Sequence, residues 1–476
     1  MNKIFPLSRR SSTDARGQIR NVVEDRALND RHIFTSAVED RWLNGRRIFM
    51  NAVEDRLLND RQIFTNAVED RWLNDGHIFM FGRFRILVSI LCVLCVLGVS
   101  ISAQDWKAIH NGVEYARVDY KIGSEPVRIN LLRLDLKKVR LDVHHAFDKA
   151  IGVEPTSSIA MRHGAVAAIN AGFFRLDKTE FAGDAAGVLV IDKRLFSESK
   201  DSRVAVGIIN GRSSTEVYFG HPEFGTSVVD DDHTGINITG TNRERLKDDV
   251  IVYSPDFGNT TNRKSGGVEL VLRRGKVTSI SRNGNSPIPK DGFVLSGDGE
   301  GADGLIERWK VGSKISYRKV HRTPTYDFGP DIDREQKRVE RFLTFDPNIL
   351  FKLEDVTNGV PQLIKNGNID ITWKEEKTSK SFAEMRHPRT AVAKLKDGKF
   401  LMITVDGRQP GVSVGMTLLE LAEYILSLGA TDAMNLDGGG STTMYVDGKV
   451  LNTPSDKEGE RKVSDAILVT LRKRTR

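Results

Sequence analysis

Cysteine is all but missing. The chain of 476 residues holds two, Cys92 and Cys95, both inside the apolar run at residues 86–99, so everything downstream lacks a thiol. Thiolate catalysis, cysteine-ligated zinc and a disulfide framework are thereby excluded for that downstream stretch, and the C-x-x-C spacing in the run is accidental. An excess of one charge is missing too: 71 basic and 64 acidic residues are interspersed, without the basic arm that nucleic acid selects. No nucleic-acid partner is expected. Long apolar runs are also lacking, since residues 86–99 fall short of the ~20 residues that a membrane-crossing helix requires. What is present, 28% charged and 39% hydrophobic residues, is the balance of a globular protein.

The apolar run is preceded by Arg83 and Arg85 and followed by Ser-Ile-Ser-Ala at 100–103. Residues 80–103 therefore read as a secretory signal peptide, with cleavage after Ala103 and a secreted or cell-envelope location. An uncleaved signal anchor is the alternative, and this segment is the sole membrane attachment expected. Upstream, residues 1–79 carry four tandem 15-residue copies that begin at Val23, Val38, Val53 and Val68. A short solenoid or amphipathic helical array is one reading. Translated repetitive DNA, with the start at Met80, is preferred, because the unit is shorter than the ~20 to 50 residues of known solenoids.

Residues 104–476 read as a single domain with its core at about 125–472. Apolar alternation from Val127 and again from Val139, and a short run at 165–169, mark strands. Asn-Gly at 366–367 and Asp-Gly at 397–398 and 447–448 sit between apolar runs, as type I′ hairpins require. Thr417 and Glu420 form a capping box ahead of an apolar stripe from Leu418 to Leu428, and Gly429 supplies the left-handed stop. A weaker helix is expected at 156–162. Residues 298–303 and 323–336 read as long loops. The predicted class is α+β: a mixed, largely antiparallel sheet with helices packed on it.

The densest chemistry is Asn-Leu-Asp-Gly-Gly-Gly-Ser-Thr-Thr at 435–443. Asn435 and Asp437 run into Gly438, Gly439 and Gly440, where a ligand can approach backbone N–H groups, and Ser441 and Thr442 follow with hydroxyls. Such a loop suits an anionic oxygen, although a tight strand-to-strand turn gives the same pattern. No Gly-Lys-Ser/Thr ending makes it a nucleotide P-loop. A second cluster opens a strand at Arg389-Thr390 and returns at Asp406-Gly-Arg408. The two guanidinium groups offer the forks that a phosphate needs, and an ordinary surface ion pair is the plainer reading. A third ends a strand at Asn170-Ala-Gly172. His144-His145 alternates along a strand, so at most one ring faces the core, and the histidines have no metalloprotease spacing. The acidic, glycine-rich stretch at 298–303 lacks the ligand spacing of an EF-hand.

Taken in order, Ile-Asn-Ala-Gly-Phe-Phe (169–174), Arg-Thr-Ala-Val-Ala (389–393), Asp-Gly-Arg-Gln (406–409), Ser-Val-Gly-Met-Thr-Leu-Leu-Glu-Leu-Ala (413–422), the glycine loop and Val-Ser-Asp-Ala-Ile (463–467) resemble the phosphodiester glycosidase family. A lysosomal member of that family removes N-acetylglucosamine from a sugar phosphodiester. The resemblance implies hydrolysis of a sugar 1-phosphodiester at the anomeric C–O bond, with Asp406, Asp437 and Asp465 as candidate catalytic carboxylates. Asn170, Gly172, Arg389, Thr390, Arg408, Gly438, Gly439, Gly440, Ser441 and Thr442 are the implied substrate- and phosphate-binding set. Where the family has Asn-Gly-Gly and Arg-Thr-Ala-Val-Gly, this chain has Ala171 and Ala393, and a methyl group at either place is expected to narrow the pocket. The expected partner is a phosphodiester-linked sugar or envelope glycan.

No cofactor is required by this chemistry, and no metal ligand set is assigned. Two alternatives stand beside it. A phosphodiesterase would use Asp406, Asp437 and Asn170 to hold Mg²⁺ or Ca²⁺ and cleave the P–O bond. A non-catalytic envelope glycan-binding protein would keep the pocket without turnover.

Overall fold

The computed structural model describes residues 104–232, 234–262, 266–321 and 347–473. All belong to the unit Ile101–Arg476. The repeats, the signal segment and the loop expected at 323–336 lie outside the described residues.

Three antiparallel sheets carry the framework. The largest runs in the order Lys107–His110, Val113–Ile122, Glu125–Leu134, Phe400–Val405, Arg389–Leu395, Ala430–Asn435, Gln362–Lys365, Asn368–Ile369. A second orders Lys449–Val450, Met444–Val446, Ala167–Asn170, Asp465–Leu471 and Val139–His145, and a third orders Thr215–Gly220, Ala205–Asn210, Asp355–Asn358, Leu189–Ile191 and Arg194–Ser197. Leu132, Met402 and Met434 from the first, Leu141, Ile169 and Ile467 from the second, and Leu189, Val206 and Ile208 from the third pack into one core. Along Asp465–Leu471 the alternation is clean: Ile467 and Val469 face that core, while Ala466 and Leu468 face Ile159 and Ala160 of the helix Thr156–Arg162.

The opposite face of the large sheet is covered by the helix Leu418–Ser427, whose Leu418, Leu421, Ala422 and Ile425 meet Ile129, Leu131, Ala391 and Ile403. Both halves of the expected capping box form, Thr417 Oγ1 accepting from Glu420 N–H and Glu420 accepting from Thr417 N–H. Replacing Thr417 with alanine is expected to cost about 1 kcal/mol in urea unfolding.

The expected α+β class is overturned. The described chain is mostly β, and its helices are short, the longest being Gly299–Arg308 and Leu418–Ser427. One well-capped helix carries a strong local signal, whereas strands as short as Leu189–Ile191 and Lys449–Val450 leave no readable period. The stretch expected as a loop at 298–303 forms the first turns of Gly299–Arg308. The hairpins at 366–367 and 447–448 are type I′, with both central residues left-handed. At 396–399 only Gly398 is left-handed, and Leu395 N–H bonds the Lys399 carbonyl, so that turn is wider than predicted.

Candidate functional site

The three sheets meet at their polar ends. Asn170 closes one strand and Asp465 opens its neighbour, the pair lying side by side because Ala466 is in register with Asn170. Asn435 and Arg389 mark the same end of the large sheet, where Ala391 pairs with Asn435. Asn358 ends a strand of the third sheet. Asn170, Asn358 and Asn435 are each the last residue of a strand and all are fully buried, so three amide side chains converge where the sheets end.

The glycine loop is fastened to this junction by Asn170. Its Oδ1 accepts from Thr390 Oγ1 (2.8 Å) and Thr443 N–H (3.0 Å), and its Nδ2 donates to the Asp437 carbonyl (2.6 Å). Asp437 N–H bonds the Ala171 carbonyl at 2.9 Å. Asn170 and Thr390, expected as substrate contacts, thus act as a fully buried cross-link that sets the position of Asp437.

Burial pushes the Asp437 carboxyl up to about 6, against the pull of the Ser441 hydroxyl, Arg461 and Gly438 N–H and with a further push from the Asp465 charge. Its partial exposure keeps it reachable. Asp465 is held by three donors: Gly172 N–H (3.0 Å), Ser464 Oγ (2.8 Å) and Thr357 Oγ1 (2.6 Å). Gly172 has no room for a side chain, because a Cβ there would lie 2.8 Å from Asn358 Nδ2 and 3.0 Å from Thr357 Oγ1. Asn358 is fully buried, and neither its amide oxygen nor its nitrogen has a hydrogen-bond partner. The Thr442 hydroxyl is likewise buried and unpartnered.

The cationic side is uneven. Arg408, exposed and left-handed at φ 60°, extends over Gly439, with Nη2 3.5 Å from His387 Nδ1. No described carboxylate pairs with it. Arg389 does not make the expected second fork. It is 1% exposed, its Nε donates to the Met416 carbonyl, and its Nη2 donates to the carbonyls of Phe382 and Met385. Burial, with Arg408 adding to it, lowers its pKa to about 9. The reason is strand parity: residue 389 points to the helix side of the sheet and residue 390 to the glycine-loop side. His387, beside both guanidinium groups, has its pKa lowered by burial and by their charges. Among the three glycines, Gly439 spends its N–H on the Pro388 carbonyl.

Asp406 stands apart. It is fully buried, Oδ1 accepts from Thr453 N–H at 3.1 Å, Oδ2 has no partner, and burial raises its pKa. No described hydrogen bond joins it to Asp437 or Asp465. Ala171 and Ala393 do not narrow the pocket either, since both methyl groups lie in apolar clusters on the two faces of the sheets. Residues that the sequence reading left out are Thr357, Asn358 and the Asp456–Arg461 pair, bidentate at 2.7 and 3.1 Å and packed against Gly440. The available signal was Thr-Asn-Gly at 357–359, a strand ending in Asn as at 170 and 435.

Residues 266–470, which include the glycine loop, both carboxylates and Arg408, match the family model of the phosphodiester glycosidases. Over 108 residues the chain is 35% identical to N-acetylglucosamine-1-phosphodiester alpha-N-acetylglucosaminidase of Bos taurus, covering 21% of this chain and 20% of that protein. Over 86 residues it is 41% identical to an SPbeta prophage-derived uncharacterized protein of Bacillus subtilis, covering 18% of this chain and 13% of that one. The matched segments thus span a fifth or less of these relatives. The fold is shared with a hypothetical protein from Synechocystis of known crystal structure, at TM-score 0.62 and 21% identity, over 76% of this chain and 62% of that one.

Proposed function

We propose that the chain hydrolyses a sugar 1-phosphodiester at its anomeric C–O bond, acting on a secreted or cell-envelope glycan. The observation that carries this reading is the glycine loop itself: Arg408, with no described carboxylate partner, lies over Gly439, and Asp437 precedes the same loop beside Asp465. In such a substrate the departing group is a phosphate monoester, stable as an anion, so the demand is for charge neutralisation rather than a strong acid. Arg408 supplies the donors for phosphate. The C1–O bond breaks with its electron pair leaving on phosphate. A water oxygen ends on C1, and Asp437 either takes its proton or first attacks C1 itself. Asp465, already saturated with donors, faces the developing positive charge on the sugar.

Asn170, which a metal-dependent phosphodiesterase would need as an oxygen ligand, has its oxygen committed to Thr390 and Thr443. Phosphorus and proton NMR of the full chain with N-acetylglucosamine-phospho-methylmannoside in ¹⁸O water decides between the reactions. Label at the anomeric hydroxyl supports the glycosidase. Label in phosphate would replace it with P–O cleavage, and no turnover across a panel of diesters would leave a binding protein. Arg408→Ala is expected to raise KM about tenfold to a hundredfold with a smaller fall in kcat, read from initial rates on the same diester.

A further inference from the structure

His144 and His163 take no part in the site above, yet the fold brings them together from distant elements. His144 lies on the strand Val139–His145, and His163 caps the C-terminus of the helix Thr156–Arg162. Their rings stack with centroids 3.6 Å apart and planes inclined by 20°. Asp148 reaches the same point from the turn between them. Its Oδ1 is 2.9 Å from His163 Nε2 and 3.9 Å from His144 Nδ1, and one ligand atom from each residue falls within 4.8 Å of the others. An ion about 2.1 Å from each of three such atoms holds them roughly 3.0 to 3.5 Å apart, so closing the set draws the atoms together and splays the stacked rings, whose in-plane lone pairs otherwise run side by side.

The hydrogen bonds here do not balance. Arg162 Nη1 lies 3.0 Å from His163 Nε2 and can only donate, so the ring nitrogen must present its lone pair. The Asp148 oxygen on the other side of the same nitrogen can only accept. One nitrogen cannot serve both, whereas a cation that takes its lone pair gains the Asp148 oxygen as a second ligand and releases the Arg162 contact at that nitrogen. Arg162 gives up only that contact. It keeps Asp148 Oδ2 and Glu154, which orients Oδ1 toward the rings.

We propose that His144, Asp148 and His163 form a binding site for a divalent first-row transition ion, with zinc the ion best suited to two imidazoles and a carboxylate. The site is separate from the glycine-loop junction. It ties the turn at 146–148 and the helix end to a strand whose next residue, His145, is in register with Asp465. Its role is to stiffen the edge strand that lies beside that carboxylate.

The test is calorimetric titration of zinc into the full chain, stripped with chelator and with Cys92 and Cys95 alkylated so that no thiol competes. One equivalent with a Kd at or below about 10 µM is expected. Melting temperature should rise about 4 °C at a hundredfold excess over Kd. His144→Ala and His163→Ala should each weaken binding tenfold or more while leaving the far-ultraviolet circular dichroism unchanged; if either unfolds, His163→Gln and Asp148→Asn are read instead. An equivalent of zinc retained by the histidine variants, or no heat and no thermal shift up to millimolar zinc, would overturn the proposal.

Discussion

Asp437→Asn is expected to abolish turnover of a sugar phosphodiester, by about a thousandfold or more in kcat, while making the protein more stable at neutral pH. The two effects share one cause. Burial raises the carboxyl from the ordinary range to about 6, so between pH ~4 and ~6 the folded chain retains a proton that the unfolded chain has released. Stability therefore falls as pH rises through that window, and the penalty is complete above it. Asparagine carries no charge at any pH and removes the penalty. The gain should be about 1 to 2 kcal/mol at pH 7.5, allowing for partial solvent screening, and should vanish near pH 4. Activity of the parent should fall on the acid side with a midpoint near 6, where the required carboxylate is lost. Chemical denaturation at the two pH values and a kcat profile are the measurements. A variant that is inactive but no more stable at pH 7.5 would mean that the carboxylate is well solvated; an active variant would remove Asp437 from the chemistry.

Asn170→Ala is expected to be the most destabilising single change at the junction, at about 3 to 5 kcal/mol. It strands the buried Thr390 hydroxyl and Thr443 N–H and the partly buried Asp437 carbonyl. Because those bonds fix the loop that carries Asp437, kcat should also drop, by about a hundredfold, with KM less affected. Urea unfolding at constant m-value measures the first effect and initial rates the second. A loss below about 1 kcal/mol would show that the loop is held by its other contacts.

Much of the site was legible because it is local in sequence. The glycine loop, the capping box and the two Asn-Gly and Asp-Gly hairpins each depend on a few adjacent residues, and backbone chemistry fixes them in advance. The burial of Arg389 and Asp406 was not legible, because sequence displays a charge but not the face on which a strand presents it. Residue 389 turned out to serve the carbonyls of Met416, Phe382 and Met385. Asn358 and Thr357 could not be connected to Asp465 from sequence at all, because about a hundred residues separate them and only the packing of separate sheets brings them together. The fold class failed for a related reason: very short strands are recognisable by their partners rather than by their own pattern.

The junction of three sheet ends has a consequence for what a shortened chain can do. Asp465 lies on a strand flanked by Val139–His145 on one side and Ala167–Asn170 on the other, and both neighbours precede the segment matched by the family. Cutting the chain back to residue 266 would expose both edges of that strand and leave Asp437 without its Asn170 tether. The pocket is therefore a property of closure: segments far apart in the chain must meet before Asp437 and Asp465 share one junction, and a half-made chain holds neither in place.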